Sequence, residues 1–357
     1  MLNGSIRVMS SAYNILRKLP LNKAKAGLDE MKKTARNHYI KKEKKDTRFF
    51  DAVVEEAICY GHEKLFMDIY NQKGIIITEE QGKIGEGKIN SNCPLIISDP
   101  IDNSAYLEKR INEGITEYES MGALFDSEAK RAELRTCTSS LTLIKNRMIK
   151  YSLVLNLFTG ELFVAYEKGI FSENIEHVDE LRDISKKAAF HANKTPDLLC
   201  YSEGKEYKRN IKGTHLDLFT IKSTDIFLGG PYRFAYLMGK RKEKQIGAIA
   251  FNGEKIQESL PNIAIALFSK KELKAYKLFC DKKYSQYRGA KEMTPSLENS
   301  IYNSKITQDT KLNLSFFNDS DYPSEFRDTV VIIPSSNNAA DSIMQVMVQK
   351  KYAIEII

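Results

Sequence analysis

The sequence predicts a mixed α/β protein in which helices precede and flank β-runs, and three observations point there. Residues 5 to about 35, and again about Phe50 to Tyr70, carry apolar side chains at helical spacing. Leu141 to Ile144, Ile149 to Phe158 and Leu162 to Tyr166 are β-rich, with Asn146-Arg147 and Thr159-Gly160 as turns, the pattern of an antiparallel meander. Two further apolar runs, Gly74 to Thr78 and Pro94 to Ile97, each stop at carboxylates. At 357 residues and 42% hydrophobic content the chain is long enough for a substantial core or two linked half-domains.

Taken in order, the first helix is expected over 5 to about 35, followed by a basic stretch, His38 to Arg48. The second helix, about 50 to 70, has an apolar stripe of Val53, Val54, Ala57, Ile58, Leu65, Phe66 and Ile69. Asp51 opens it, where the helix dipole favours an acid in any case. The segment Glu79-Glu80-Gln81-Gly82-Lys83-Ile84-Gly85-Glu86-Gly87 reads as a mobile loop. No strand–GxGxxG–helix unit accompanies it, so it is not a nucleotide-binding loop. Tyr106 to Arg135 is polar, charged and helical in pattern. Ile246 to Phe251 and Asn262 to Phe268 read as a hairpin-like pair around Asn252-Gly253. Lys270 to Phe279 then reads as a helix, and Thr329–Ile333, Asn338–Gln349 and Tyr352–Ile357 as strand, helix and strand.

The chemistry concentrates at Ile96-Ile97-Ser98-Asp99-Pro100-Ile101-Asp102-Asn103-Ser104. A buried strand ends in this turn. Pro100 fixes its own φ and holds Asp99 extended. Asp99 and Asp102 can then lie on one side of the turn. Asn103 suits a left-handed backbone position, and Ser104 has the profile of a helix N-cap. Two carboxylates beside a helix N-terminus suit Mg²⁺ and phosphate together. Asp, Pro, Asn and Ser also make ordinary turns. The neighbouring strand ends in Glu79-Glu80, and two adjacent strands ending in acids are how a two-metal phosphoryl-transfer site is built.

A strand ending in Glu-Glu, then one ending in Asp-Pro-Ile-Asp-Asn-Ser, resembles the inositol monophosphatase superfamily. That superfamily includes fructose-1,6-bisphosphatases, 3′-phosphoadenosine nucleotidases and inositol polyphosphate 1-phosphatases. The likeness spans roughly residues 5 to 280 and is strongest at 75–104. The order "Ser-Leu-Thr-Leu-Ile-Lys-Asn-Arg … Thr-Gly-Glu-Leu-Phe-Val-Ala … Lys-Gly-Ile-Phe" is similar to the family's central sheet. The resemblance implies a layered α-β-α-β-α sandwich and a Mg²⁺-dependent, Li⁺-sensitive phosphatase using two or three ions. It implies in-line attack of a metal-activated water on a phosphate monoester. Glu79, Asp99, Asp102, Asp225 and the Ile101 carbonyl would hold the metal. Asp51, Glu79 and Ser104 would serve catalysis by orienting or deprotonating the water, and the N–H groups of Asn103 and Ser104 would hold phosphate. Asp51 with Val54-Glu55 fits the family's first site helix.

Asp225 fits its final ligand, at the head of a helix with Gly229, Gly230 and Gly239. Here Thr224 replaces the family's Trp, and Pro231 falls in the first turns of that helix. A rival alignment makes Ser223 a substrate contact and leaves the ligand Asp missing; Asp225 as a plain N-cap is a further reading. Arg233 is a candidate contact for additional substrate charge.

The expected organisation is an N-terminal metal-binding half over 1–170, a second α/β half over 171–283, and a C-terminal extension over 284–357 packed on that second half. The substrate class is a small phosphorylated metabolite: an inositol phosphate, a sugar bisphosphate or a 3′-phosphonucleotide. The net charge of +7 favours anionic partners, although a Lys-rich solubilising surface has the same composition. No aromatic-basic signature for specific nucleic-acid binding is present, and no apolar run reaches the ~20 residues of a membrane span. Cys59, Cys93, Cys137, Cys200 and Cys280 lack pair or metal spacing and read as reduced thiols of a cytoplasmic protein. A homodimer is compatible with all of this. The alternative function is a catalytically inactive descendant that binds a phosphorylated ligand or a protein. Asn103 in place of Gly or Ser, the missing Trp, Pro231, the 106–135 insertion and the extension favour it.

Overall fold

The computed structural model describes residues 1–33, 49–79, 81–85, 93–130, 136–177, 196–202, 231–232, 235, 245–254, 256–270, 272–279, 306–312, 328–333 and 353–356. The N-terminal helix is broken in two, α1 (Leu2–Lys18) and α2 (Leu21–Lys33). Pro20 lies at the break; it has no N–H to give and disfavours a helical conformation at Leu19, which is extended at ψ 122°. Helix α3 (Phe49–Tyr70) follows. It runs antiparallel to α1 at close range: a Cβ on Gly61 would sit 2.6 Å from Val8, and one on Gly4 would sit 2.5 Å from Leu65.

Strands β1 (Ile75–Thr78), β2 (Gly82–Ile84) and β3 (Leu95–Asp102) come next. The segment expected as a loop therefore contains a strand. Gly82 at φ 71° turns the chain back so that Gly82–Ile84 pairs antiparallel with β1. The 106–135 insertion is a helical hairpin, α4 (Ser104–Gly114) and α5 (Met121–Ala129). It joins the helix layer through Leu107, Ile111, Met121, Leu124 and Phe125, all buried in one core with α1 and α3. Glu128 of α5 is buried, accepts from Tyr106 Oη at 2.6 Å and pairs with Arg110 at 2.8 Å. Removing Arg110 would leave the buried Glu128 carboxylate without its cation. Leu21 N donates to Glu119 O and Met121 N to Leu19 O, tying the hairpin to the α1–α2 corner.

The meander is β4 (Thr138–Lys145), β5 (Met148–Asn156), β6 (Glu161–Tyr166) and β7 (Gly169–Asn174). The full sheet order is β2-β1-β3-β4-β5-β6-β7, with β1 and β3 parallel and the other pairs antiparallel. Ile96, Leu141, Leu143, Leu153, Leu155 and Val164 face the core shared with α1 and α3. The opposite face meets α6 (Ile256–Lys270), which also contacts β9, β10 and β12 of a second sheet. That sheet comprises β8 (Pro196–Ser202), β9 (Gln245–Glu254), β10 (Glu272–Phe279), β11 (Ile306–Thr307), β12 (Asp328–Ile333) and β13 (Ala353–Ile356). Among the described residues the layers run helices, seven-stranded sheet, helix, six-stranded sheet.

Two expectations are corrected here. Asn262–Phe268 is helix, not the second arm of a hairpin. Leu260 to Phe268 are all buried, and a helix covered by a sheet on each side is apolar all round, so no helical period shows in its sequence. Lys270–Phe279 is not helix: Glu272–Phe279 is strand β10, fixed by antiparallel pairing with β12 on one edge and β13 and β11 on the other. The expected helix at 338–349 lies outside the described residues. One further contact ties the sheets' territories together. At the β4–β5 turn Leu312 N donates to Arg147 O at 2.8 Å, Arg147 Nε donates back to Leu312 O at 2.9 Å, and Leu312 is buried.

Candidate active site at the end of strands β1 and β3

Strand β3 does not stop at Ile97; it runs through the acidic turn to Asp102. Its pairing with β4 explains how. Asp99 lies opposite Ser140 and Asp102 opposite Thr138, with a register shift between them. Three steps on β3 thus meet two on β4, so β3 carries one extra residue at Pro100-Ile101. Residues three apart on a regular strand point to opposite faces. The bulge cancels that alternation, because Ser140 and Thr138 share a face, and it brings Asp99 and Asp102 to the same side of the sheet. This is the face covered by α6.

Glu79 joins them through the parallel pairing of β1 with β3. Thr78, the last residue of β1, is in register with Ser98, and Glu79 follows it at the start of the turn as Asp99 follows Ser98 in β3. Adjacent strands lie about 4.8 Å apart. From the helix layer, Asp51 and Glu55 of α3 are buried at this same end of the sheet. Glu55 Oε1 accepts from Gln81 N at 3.1 Å, and Thr78 Oγ1 accepts from the same N–H at 3.2 Å, which pins α3 to the β1–β2 turn. Cys137 marks how near the acids are. Burial drives its thiol well above the usual range, and Asp102, Asp51 and Glu128 push it further. Carboxylates from β3, α3 and α5 thus all lie within electrostatic reach of one buried thiol.

The turn after Asp102 differs from expectation in one detail. Asn103, not Ser104, is the N-cap of α4, at φ 65° and ψ 32°, and Ser104 is the first helical residue. Asn tolerates this left-handed region better than other side chains. Asn103 Nδ2 donates to Thr136 O at 2.9 Å, and Cys137 Sγ donates to Asn103 O at 3.5 Å. The position that departs from the family's Gly or Ser therefore keeps the left-handed geometry and adds a tie to the start of β4. The first amides of α4 open beside Asp102, the arrangement that receives anions.

Of the sequence-predicted residues, Glu79, Asp99, Ile101, Asp102, Asn103 and Ser104 come together along the β1 and β3 ends, with Asp51 approaching from α3. Asp225, Glu80, Ser223 and Arg233 lie outside the described residues. Pro231, Tyr232 and Ala235 are helical. Tyr232 stacks edge-on against Phe163 of β6 and donates to Glu161 Oε2 at 2.6 Å, on the α6 side of the sheet. Pro231 is therefore compatible with a helix. Sequence reading missed Glu55 as the carboxylate that fixes the β1–β2 turn; its place one helical turn after Asp51 was the available signal.

The donor set is all oxygen, carboxylate and carbonyl, which is the chemistry Mg²⁺ requires. Among the described residues no three Asp, Glu, His or Cys side chains converge closely enough to hold an ion. The donor chemistry fits a hard cation, while a closed cage is not formed by these residues alone.

The fold is that of the inositol monophosphatases. The IMPase of Thermotoga maritima superposes with a TM-score of 0.51 at 12% identity, covering 98% of this chain and 96% of that one. SuhB of Mycobacterium tuberculosis matches at 0.47 and 10% identity over 97% and 94% of the two chains. CysQ of Bacteroides thetaiotaomicron, described as a bacterial member of the inositol monophosphatase family, matches at 0.44 and 14% over 92% and 98%. No protein-family model and no curated protein matches the sequence.

Proposed function

We propose that this chain is a divergent member of the inositol monophosphatase superfamily and a Mg²⁺-dependent phosphatase of a small phosphorylated metabolite. The observation that carries the reading is the register of β1 and β3. Thr78 pairs with Ser98 immediately before Glu79 and Asp99, and the bulge brings Asp102 to the side of Asp99 just before a helix N-terminus, which supports a shared carboxylate site. When bound, the cation supplies charge neutralisation and a water of lowered pKa. The chain's own residues do the rest. Glu79, Asp99, Asp102, Asp225 and the Ile101 carbonyl hold the ion. The amides of Asn103 and Ser104 receive the phosphate oxygens at the head of α4. Asp51 and the Ser104 hydroxyl orient the attacking water and the Asp51 carboxylate takes its proton, with Arg233 available for a second anionic group. The net charge of +7 favours a substrate with more than one negative group.

The experiment is phosphate release from inositol phosphates, fructose 1,6-bisphosphate and 3′-phosphoadenosine phosphates, with and without Mg²⁺. A Mg²⁺-dependent rate, highest on a bisphosphate, supports the reading. A second reading, a non-catalytic phosphate-binding protein, is favoured by Thr224 in place of the family's Trp, by Asn103 in place of Gly or Ser and by the 106–135 insertion. Binding of these ligands with no phosphate release under any divalent metal selects it.

A further inference from the structure

We propose that the hydroxyl of Ser140 orients the Asp99 carboxylate for cation binding, a role that rests on the functional reading above. Ser140 is directly opposite Asp99 in the β3–β4 ladder and projects from the same face. Side chains so paired have Cβ atoms about 5 Å apart, within reach of a hydroxyl–carboxylate hydrogen bond after a rotamer change. Ser140 is 1% exposed, and its Oγ has no hydrogen-bond partner among the described residues.

The neighbours sharpen the point. This face of the sheet carries a stripe of buried hydroxyls across β4 and β5. Thr142 and Ser152 bond each other at 2.9 Å, and Ser152 also donates to Leu141 O at 3.0 Å. On the other face, Ser98 Oγ donates to the Ser140 carbonyl at 2.8 Å, which holds the Ser140 backbone in place. The stripe thus satisfies itself except at the rung beside Asp99. A buried hydroxyl with nothing to bond destabilises the fold, so packing alone would favour Ala there. Donated to one oxygen of Asp99, the same O–H would leave the other oxygen facing Glu79 and Asp102. Losing a partner that fixes a ligating group in this way typically costs about 10–100-fold in metal affinity.

The test is Mn²⁺ calorimetry with thermal melts on the full chain, for the wild type, Ser140→Ala, Ser140→Cys, Ser140→Thr and Asp99→Asn. Ser140→Ala and Ser140→Cys should each weaken Mn²⁺ binding by about tenfold. Their metal-free melting temperatures should equal or exceed that of the wild type. Ser140→Thr, which keeps the hydroxyl, should restore the affinity. Unchanged Mn²⁺ affinity in Ser140→Ala, or affinity not restored by Ser140→Thr, overturns the proposal. A melting temperature lowered without metal, at constant affinity, shows a purely structural serine and overturns it too. Failure of the underlying reading looks different: the wild type takes up no Mn²⁺, or Asp99→Asn binds it unchanged.

Discussion

Acidification should weaken this fold through one residue, His62, and the size of the effect follows from its surroundings. His62 is completely buried in α3. Its Nδ1 lies 2.7 Å from Ile58 O, and a carbonyl only accepts, so Nδ1 carries the proton. Nε2 is then the acceptor, and the Ser5 hydroxyl donates to it at 2.9 Å. With its proton so used, Ser5 Oγ accepts from Tyr151 Oη at 2.6 Å. The chain of bonds links β5, α1 and α3 and needs a neutral imidazole. Burial lowers the His62 pKa from 6.5 to about 4, against a small opposing contribution from the Ile58 carbonyl. Between these values the unfolded chain binds the proton and the folded chain does not. Stability is therefore fully present above about pH 6.5 and falls as pH drops toward 4. The loss is about 2 kcal/mol at pH 5 and approaches about 3 kcal/mol below pH 4. Protonation would also place a hydrogen on Nε2, facing the Ser5 donor. The assay is urea unfolding from pH 7.5 to 4.5 for the wild type and His62→Gln, which keeps an amide in the site but cannot titrate. Subtracting the two curves removes the carboxylates common to both. The wild type's advantage should shrink by about 2 kcal/mol between pH 7 and pH 5. The ring resonances of His62 should titrate near 4. A constant difference between the two curves, or a ring midpoint near 6.5, would refute the reasoning.

Asp99→Asn should abolish Mg²⁺ binding in calorimetry while the circular dichroism and the metal-free melt stay close to wild type; retained affinity would reject Asp99 as a ligand. Asn103→Ala should cost about 1–2 kcal/mol in urea unfolding, since Ala pays the left-handed penalty and loses the bond to Thr136; Asn103→Gly, which keeps only the backbone freedom, should cost less. Asp225→Ala should lose the Mg²⁺-induced rise in melting temperature, which binding to the native state produces by mass action. A full rise in that variant would remove Asp225 from the ligand set and favour the rival alignment through Ser223.

The parts of the fold that were legible in the sequence are those where one face meets water or a turn residue marks an end. Helix α3 shows part of its stripe, with Val54, Ile58 and Phe66 buried, Val53, Ala57 and Leu65 half-buried and Ile69 exposed, and the meander shows its turns at Asn146-Arg147 and Thr159-Gly160. Asn103 reads as left-handed because few other residues accept that backbone. Where both faces are buried, the signal fails. Helix α6 lies between two sheets and has no period to display. Strand β10 reads locally as a helix because its pairing partners, β12 and β13, are distant in sequence and nothing local distinguishes it. Within the site, the Asp-Pro-Ile-Asp spacing suggested two carboxylates on one side, but only the pairing with Ser140 and Thr138 shows the bulge that puts them there. Ser140 carries no motif at all, and Glu55 enters only as part of the Asp51…Val54-Glu55 pattern; their particular roles come from where register and packing put them.

The clasp between Arg147 and Leu312 bears on the order in which the chain assembles. Its partners are 165 residues apart. Closing a loop of that length costs on the order of 4 kcal/mol in chain entropy, while two hydrogen bonds return about 1 kcal/mol each. The clasp cannot draw the two regions together; it can form only after larger surfaces have already met. On a ribosome adding 5–20 residues per second, the β4–β5 turn would wait roughly 8–30 s for its partner to be made. Through that interval the turn must hold its shape through Asn146 and Arg147 alone, both at positive φ. Closure of the clasp is therefore a late event, and a probe placed at Arg147 would time the arrival of the chain's later third rather than the folding of the sheet that carries it.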